Sequence, residues 1–307
     1  MKAAVCTAYG SPDVMVIRDV PKPKPGRNDV RIRVHAAALT TSDTRIRGLQ
    51  FPRRLRLPLR VMVGIRAPRR VMGLVLSGVV DSIGSAVTRF KSGDEVFGFD
   101  SSFRFGAHAE YACWPENDLL ALKPQRLSHE EAAAIPYGGL MAKFFLRRAG
   151  LKSGQRVAIF GASGANGTSA VQLARLAGAT VTGICSGRNI ELVKSLGASS
   201  CVDYTVEDFT RSDARYDVVL DAVGGLRKPP PRESVERVLA PGGVYVSVDE
   251  TMPRFTQPDL DELARLCEEG SLRPVIDRLY PVARIAEAHA YVDQGHKRGN
   301  VILTMDV

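Results

Sequence analysis

The residues best suited to chemistry lie in one short turn, Gly161-Ala162-Ser163-Gly164-Ala165-Asn166-Gly167, and in a patch further on, Cys185-Ser186-Gly187-Arg188. The spacing Ala162-x-Gly164-x-x-Gly167 is the G-x-G-x-x-G pattern with alanine first. Glycines so spaced let the backbone turn sharply and bring free N–H groups against a pyrophosphate, where the positive end of a helix dipole adds attraction. Alone the pattern is weak, and a bare glycine turn is often structural. Its flanks give it weight. Arg156-Val157-Ala158-Ile159-Phe160 reads as a strand buried on both faces. Val171, Leu173, Ala174, Leu176 and Ala177 give a helix stopped by Gly178, and 180–185 reads as a second strand. In a dinucleotide-binding unit an acid ending that second strand accepts from the ribose 2′-hydroxyl of NAD and repels a phosphate. Here Ser186 offers a hydroxyl and Arg188 a planar fork of donors suited to phosphate, so the expected cofactor is NADPH. The plainer reading of Arg188 is a surface arginine opening the next helix.

Elements on either side must position this unit. The first third reads as all-β, with strands at 1–7, 14–19, 29–38 and 72–82 broken by glycine and proline. Strands and glycine turns between Val79 and Gly98 suit a small antiparallel barrel. From Ser128 the periodicity becomes helical: Ser128-His129-Glu130-Glu131 is a capping box opening 132–135, and a longer helix follows over 139–149. Beyond the glycine unit come a helix at 190–196, strands near 201–203 and 216–223, a helix at 233–239 and a strand at 244–248, completing a doubly wound parallel sheet. Helices at 258–269 and 285–294 and a strand at 301–305 return the chain to the first domain. The expected division is 1–123 with 265–307 for the barrel domain and 124–264 for the nucleotide fold.

Composition is that of a globular protein, with 307 residues, 45% hydrophobic and 24% charged. Cys6, Cys113, Cys185, Cys201 and Cys267 show no paired spacing, which points away from a disulfide framework or zinc knuckle and toward a reducing compartment. Without a signal-type apolar core after Met1 or a run long enough to span a bilayer, the expected location is the cytoplasm. The net charge of +9 is concentrated in 44–71, where Arg45, Arg47, Arg53, Arg54, Arg56, Arg60, Arg66, Arg69 and Arg70 occur with no acid. Nucleic acid, anionic lipid or substrate phosphates would suit them. The plainer reading is a solvated loop whose arginine stems cover apolar neighbours.

Barrel, nucleotide fold and short return together resemble the zinc-free medium-chain dehydrogenase/reductases of the quinone oxidoreductase type. The resemblance is carried by Ala36-Ala37-Ala38-Leu39-Thr40-Thr41-Ser42-Asp43, the 73–98 block, Gly139-Leu140-Met141-Ala142, Gly161 to Gly167, Asp221-Ala222-Val223-Gly224-Gly225 and Gly299-Asn300-Val301. It implies a GroES-like barrel joined to a Rossmann domain. It also implies hydride transfer from a reduced nicotinamide to a quinone, or to the β-carbon of an enone or enal. Tyr204, Val223, Gly224, Ser247 and Asn300 would join the cofactor site. Where zinc-dependent relatives carry ligands, this chain has Thr40, Leu74 and Tyr137, so no metal is expected. None of His35, His108, His129, His289 and His296 sits at paired ligand spacing, and solvated or capping roles are expected for them.

Without a Lewis acid, alcohol–ketone chemistry is disfavoured, whereas a quinone or enone delocalises its own developing charge. Tyr137 is the first candidate for proton donor and Thr40 the second, for substrate oxygen or nicotinamide ribose; packing is the plainer reading of Tyr137. Phe51 and Met141 stand where relatives often have tyrosine and threonine, and 247–258 is short of a strand that commonly pairs across a dimer. A monomer or weak dimer is therefore expected. Two further readings stay open: a cofactor-binding regulator or nucleic-acid binder with little turnover, and a reductase held at a membrane surface.

Overall fold

A computed structural model describes residues 1–68, 71–224 and 229–305. Gly225, Arg69 and Arg70 lie outside the described residues. The chain forms two compact units, one of 1–136, 256–268 and 276–307, the other of 137–255 and 269–275. The boundary thus falls after Pro136 rather than after 123, and again at 255/256 rather than 264/265.

The first unit opens with β1 (Lys2–Cys6) and β2 (Met15–Asp19), an antiparallel pair. It continues through β3 (Asp29–Leu39), α1 (Thr41–Arg47), α2 (Arg53–Val63), β4 (Val75–Ile83), β5 (Glu95–Phe99), β6 (Tyr111–Pro115), β7 (Leu119–Leu122) and α3 (His129–Ala133). The long β3 sets the architecture. Its first half pairs with β6, its second half with the last strand of the chain, and β4 runs antiparallel along its other edge with two register shifts. Such shifts bend a strand and let a sheet curl. Ser128 caps α3 with the expected reciprocal bonds to Glu131, and α3 lies against β3 and β4, which is why 124–136 belongs with the barrel.

The second unit holds all but the first residue of α4 (Pro136–Arg148), then β8 (Arg156–Phe160), α5 (Ala165–Leu176), β9 (Thr180–Cys185), α6 (Ile190–Ser195), β10 (Ser200–Asp203), β11 (Tyr216–Asp221), α7 (Arg232–Glu236) and β12 (Leu239–Ser247). Its five strands are all parallel, in the order β10-β9-β8-β11-β12. Side chains alternate between two cores, as the two-residue period of a strand demands. Val157, Ile159, Val218 and Leu220 join Phe145, Val171 and Val193 on one face; Ala158, Ile184 and Val219 join Phe209, Val235 and Val238 on the other. With helices over both faces the strands carry no polar side, which accounts for their unbroken apolar sequences. Among the described residues no strand follows β12 within 248–256. The chain returns through α8 (Gln257–Glu268), β13 (Ile276–Pro281), α9 (Ile285–Gln294) and β14 (Asn300–Thr304) to the first unit.

Two further expectations change. Residues 53–63 form a helix rather than a solvated loop. His108 and His289 are fully buried rather than solvated, and burial pushes both rings below the usual imidazole range.

Candidate active site

Strand order places the cradle. From β8 the chain steps outward to β9 and β10, then crosses back to β11 on the other side, so the carboxyl ends of β8 and β11 flank a topological switch point. The glycine turn sits at that point. Gly161 has φ +77°, and a Cβ there would stand 2.2 Å from Val223 Cγ1. Its N–H and that of Ala162 both donate to Ile184 O, at 3.0 and 3.1 Å, tying the turn to β9. A Cβ on Gly167 would lie 2.1 Å from Gly161 O, so only glycine lets α5 start so near the strand. Gly164 differs: a Cβ would meet only Gly161 O, at 3.5 Å, an ordinary contact. Its lack of a side chain instead keeps the turn open to a group approaching from outside. Gly164 is the N-cap of α5 with no side-chain cap, and the first-turn amides of Ala165, Asn166 and Gly167 have no carbonyl within the helix to reach. An anion is the natural partner for these donors.

Around this turn stand the other residues singled out from the sequence. Ser163 and Ser186 are joined by a residue that sequence reasoning missed. Asn189, buried, places Nδ2 3.0 Å from each of the two serine oxygens. It precedes α6 in the N-cap position, yet its side chain makes no cap bond and turns back to the serines instead. The buried Oδ1 atoms of Asn189 and Asn166 have no protein partner, while Asn166 Nδ2 donates to Ala222 O at 3.2 Å, beside the switch point. Such polar atoms fit a site that receives a polar ligand.

Arg188 is exposed on the turn after β9. Tyr204 N donates to Cys185 O at 3.1 Å, and the Tyr204 ring packs 6.1 Å from Phe160, so the tyrosine borders the same strand end. No acid ends β9, but one ends β10. Asp203 accepts from Thr205 Oγ1 at 2.7 Å and Thr205 N at 2.9 Å; the Thr205 hydroxyl above all holds its carboxyl below the usual range. Its Oδ2 lies against Gly187, where a Cβ would come within 2.3 Å. This carboxylate organises the turn.

Val223, Gly224 and Ser247 meet at Asp221, which is buried at the end of β11. Asp221 Oδ2 accepts from Ser247 Oγ at 2.7 Å, and Oδ1 accepts from Val223 N and Gly224 N at 3.0 and 3.1 Å. The Ser247 proton is thus directed at Asp221, and Asp221 shapes this rim. Tyr137 starts α4, half-buried. Its neighbour Gly138 packs so closely that a Cβ would fall 2.3 Å from Ala165 O, the first residue of α5. Tyr137 therefore stands one residue from the cradle's helix.

In the first unit, the pairing of Val301 with Leu39 sets Asn300 beside Thr40 at the ends of β14 and β3. Thr40 is buried and caps α1 reciprocally with Asp43: Thr40 Oγ1 donates to Asp43 Oδ2 at 2.6 Å, and Asp43 N donates back at 3.3 Å. The hydroxyl proton is engaged, leaving Thr40 able to accept. Leu74 is buried and offers no donor atom. These residues do not fit zinc, and among the described residues no group of three or more His, Cys, Asp or Glu side chains could hold a metal ion. Behind Asp43 lie His108, whose Nε2 is 3.3 Å from Ala38 O, His289, and Arg47, which donates to Asp293 at 2.6 Å.

Known proteins match along the whole chain. The family model for the alcohol dehydrogenase GroES-like domain matches residues 26–125, and two zinc-binding dehydrogenase models match 165–273 and 250–303. The chain is similar to the 2-methylene-furan-3-one reductase of Solanum lycopersicum, 34% identical over 99% of this chain and 79% of that protein. It is likewise 33% identical to the NADPH-dependent alkenal/one oxidoreductase, chloroplastic, of Arabidopsis thaliana, again over 99% and 79%. The solved structure of the quinone oxidoreductase from Coxiella burnetii superposes with a TM-score of 0.87 at 30% identity, covering 99% of both chains. GroES-like barrel, parallel nucleotide-binding sheet and these matches agree, and the chain belongs to the medium-chain dehydrogenase/reductase superfamily, among its quinone oxidoreductase-like members.

Proposed function

We propose that the protein is an NADPH-dependent oxidoreductase that transfers hydride, without a metal, to a quinone or to the activated C=C of an enone or enal. The observation that carries this reading is the strand end at Cys185, where Ser186 and exposed Arg188 stand beside a glycine turn and no acid ends β9. The names of the reductases of enones, alkenals and quinones that the chain resembles support the substrate class, and one of them names NADPH.

The bound dinucleotide supplies the hydride. The turn amides and the start of α5 hold its pyrophosphate. Ser186, Arg188 and Tyr204 border the adenosine end, and Arg188 offers charge-assisted bonds to a 2′-phosphate. Asp221 fixes Val223, Gly224 and Ser247 as one wall. Thr40, with its proton on Asp43, accepts from a ribose hydroxyl, and Asn300 lies next to it. When hydride reaches the β-carbon of an enone, the C=C electron pair moves onto the carbonyl oxygen. The enolate then takes one proton, from Tyr137 or from solvent, to give the saturated ketone. Leu74 and Thr40 provide no ligand set for zinc, which leaves charge delocalisation within the substrate to replace a Lewis acid. The short segment after β12 supports a monomer or weak dimer, and the unpaired cysteines a reducing, cytoplasmic setting.

The direct test is cofactor oxidation by the purified chain across quinones, enals, enones and simple ketones, with NADPH and NADH, in chelator. Turnover of conjugated acceptors with NADPH and none with simple ketones is expected. Oxidation of NADH at an equal rate, or activity lost to chelator and restored by zinc, overturns the reading.

A further inference from the structure

The arginine-rich stretch takes no part in the cradle, and its structure is unusual. Helix α2 turns its apolar residues outward. At about 100° per residue, Leu57, Val61, Arg54, Pro58, Met62 and Leu55 occupy one arc of its circumference. Leu57 is 71% exposed, Val61 60%, Met62 58% and Leu55 47%, with Ile65 just beyond at 61%. The opposite arc meets the protein. Val63 is buried there, the Arg60 guanidinium lies 5.4 Å from the Tyr9 ring centroid, and Arg56 Nε and Arg60 Nε donate to the backbone oxygens of Phe51 and Ile65. Arg53, Arg54 and Arg56 are exposed as well, so α2 shows both its apolar stripe and its charges, whereas a surface helix ordinarily buries its apolar stripe.

We propose that α2 docks this protein on the surface of an anionic lipid bilayer. Around the stripe, Arg53, Arg54, Arg56, Arg60 and Arg66 stand with no acid from 53 to 68, so charge complementarity points to a negatively charged partner. A second copy of α2 would set arginines against arginines. A nucleic acid would meet leucine, valine and methionine where it needs donors to phosphate. The stripe lies on a single helix and is convex, and a bilayer boundary accepts such a shape. Leu55, Leu57, Val61 and Met62 enter the acyl boundary, Arg53 and Arg54 reach phosphates with their stems among the lipids, and α2 lies parallel to the surface. Docking does not depend on the hydride chemistry. It would bring a protein to the phase in which apolar electrophiles dissolve.

The test is co-sedimentation of the full chain with vesicles of phosphatidylcholine alone and of phosphatidylcholine mixed equally with phosphatidylglycerol. Binding to the mixed vesicles only, weakening as salt is raised, is expected. Leu57→Asp with Val61→Asp should abolish it, and Arg54→Glu should weaken it about fivefold or more. Unchanged turnover of a water-soluble quinone would show both proteins folded; Leu57→Ser with Val61→Ser serves if the aspartates unfold the chain. Failure to bind either vesicle overturns the proposal, as does binding that survives the double substitution. Lipid-free self-association or retention on DNA that the double substitution abolishes also overturns it, by assigning the face to another occupant.

Discussion

Asn189 Nδ2 stands 3.0 Å from Ser186 Oγ and equally 3.0 Å from Ser163 Oγ, so one buried amide bridges the phosphate turn and the end of β9. Because that nitrogen only donates, each serine oxygen accepts from it, and each hydroxyl proton is left to point at something else. An anionic ligand is the partner that uses both. Asn189→Asp replaces the donor with a carboxylate that takes those protons and adds charge beside the phosphates. The KM for NADPH should rise at least about tenfold, with kcat changed much less. An unchanged KM would mean that the serines already donate to this side chain.

Cofactor choice rests on Arg188. Arg188→Ala should raise the KM for NADPH by roughly tenfold or more and leave that for NADH nearly unaltered, since only the former brings a phosphate to this strand end. Asp203 does not oppose this, because its oxygens are engaged by Thr205 and the Gly187 turn. Parallel steady-state measurements decide the matter. Loss of both cofactors together would make Arg188 a structural residue of the turn.

Tyr137 is tested by Tyr137→Phe with an enone acceptor. If the phenol protonates or hydrogen-bonds the enolate oxygen, kcat should fall about a hundredfold, while quinone reduction should suffer less. Equal kcat for wild type and variant returns the tyrosine to packing beside Gly138.

How legible these features were depended on how local their causes are. The strands β8 and β9 were readable to the residue, because an apolar run, a glycine turn and a stopped helix are written in adjacent positions, although α5 begins at Ala165, inside the stretch read as turn. Helix α2 was not. Pro52 and Pro58 and four arginines in eleven residues read as a solvated loop, and apolar residues at every second place from Leu55 to Val63 obscure the helical period. His108 and His289 come from a loop and from α9, and their burial follows from how distant segments pack, which single-residue chemistry cannot indicate. Nothing in the sequence sets Asn189 apart; only the three-dimensional return of β9 to the glycine turn shows its use. Asp221 was visible as part of a motif, but its grip on Ser247 required the β11–β12 register.

A pair of carboxylates makes stability depend on pH. Burial, then the neighbouring Asp118, pushes Asp100 up from its ordinary 3.8 to about 6. The folded protein therefore holds a proton that the unfolded chain releases more readily. The stabilisation this gives is complete below pH 3.8 and lost as pH rises through about 6. Asp118 Oδ2 is buried without a partner, whereas Oδ1 accepts from Ser101 Oγ and Leu119 N. Asp118→Asn keeps those two bonds and replaces the repelling oxygen with a donor. It should stabilise the protein at pH 8 by on the order of 1 kcal/mol, with the gain vanishing toward pH 4. Chemical denaturation at the two pH values checks this, and a gain independent of pH would refute the carboxylate cause.

The ion pair linking α1 to α9 should respond asymmetrically. The Arg47 side chain is 1% exposed and that of Asp293 27%, and their closest atoms are 2.6 Å apart. Removing Asp293 strands a charge that water cannot reach, whereas removing Arg47 leaves a carboxylate that water can. Arg47 Nε and Nη1 are also buried without partners, so the arginine carries uncompensated donors even in the intact protein. Asp293→Ala should therefore cost about 3–5 kcal/mol of unfolding free energy. Arg47→Met, which fills the space and removes both the charge and the stranded donors, should cost far less. Adding Arg47→Met to Asp293→Ala should recover most of the loss, because the second change removes the charge the first one stranded. Urea denaturation of the two single variants and the double variant measures all three quantities. Equal single costs that simply add would show that Arg47 reaches solvent by another route and that the pair holds no buried charge.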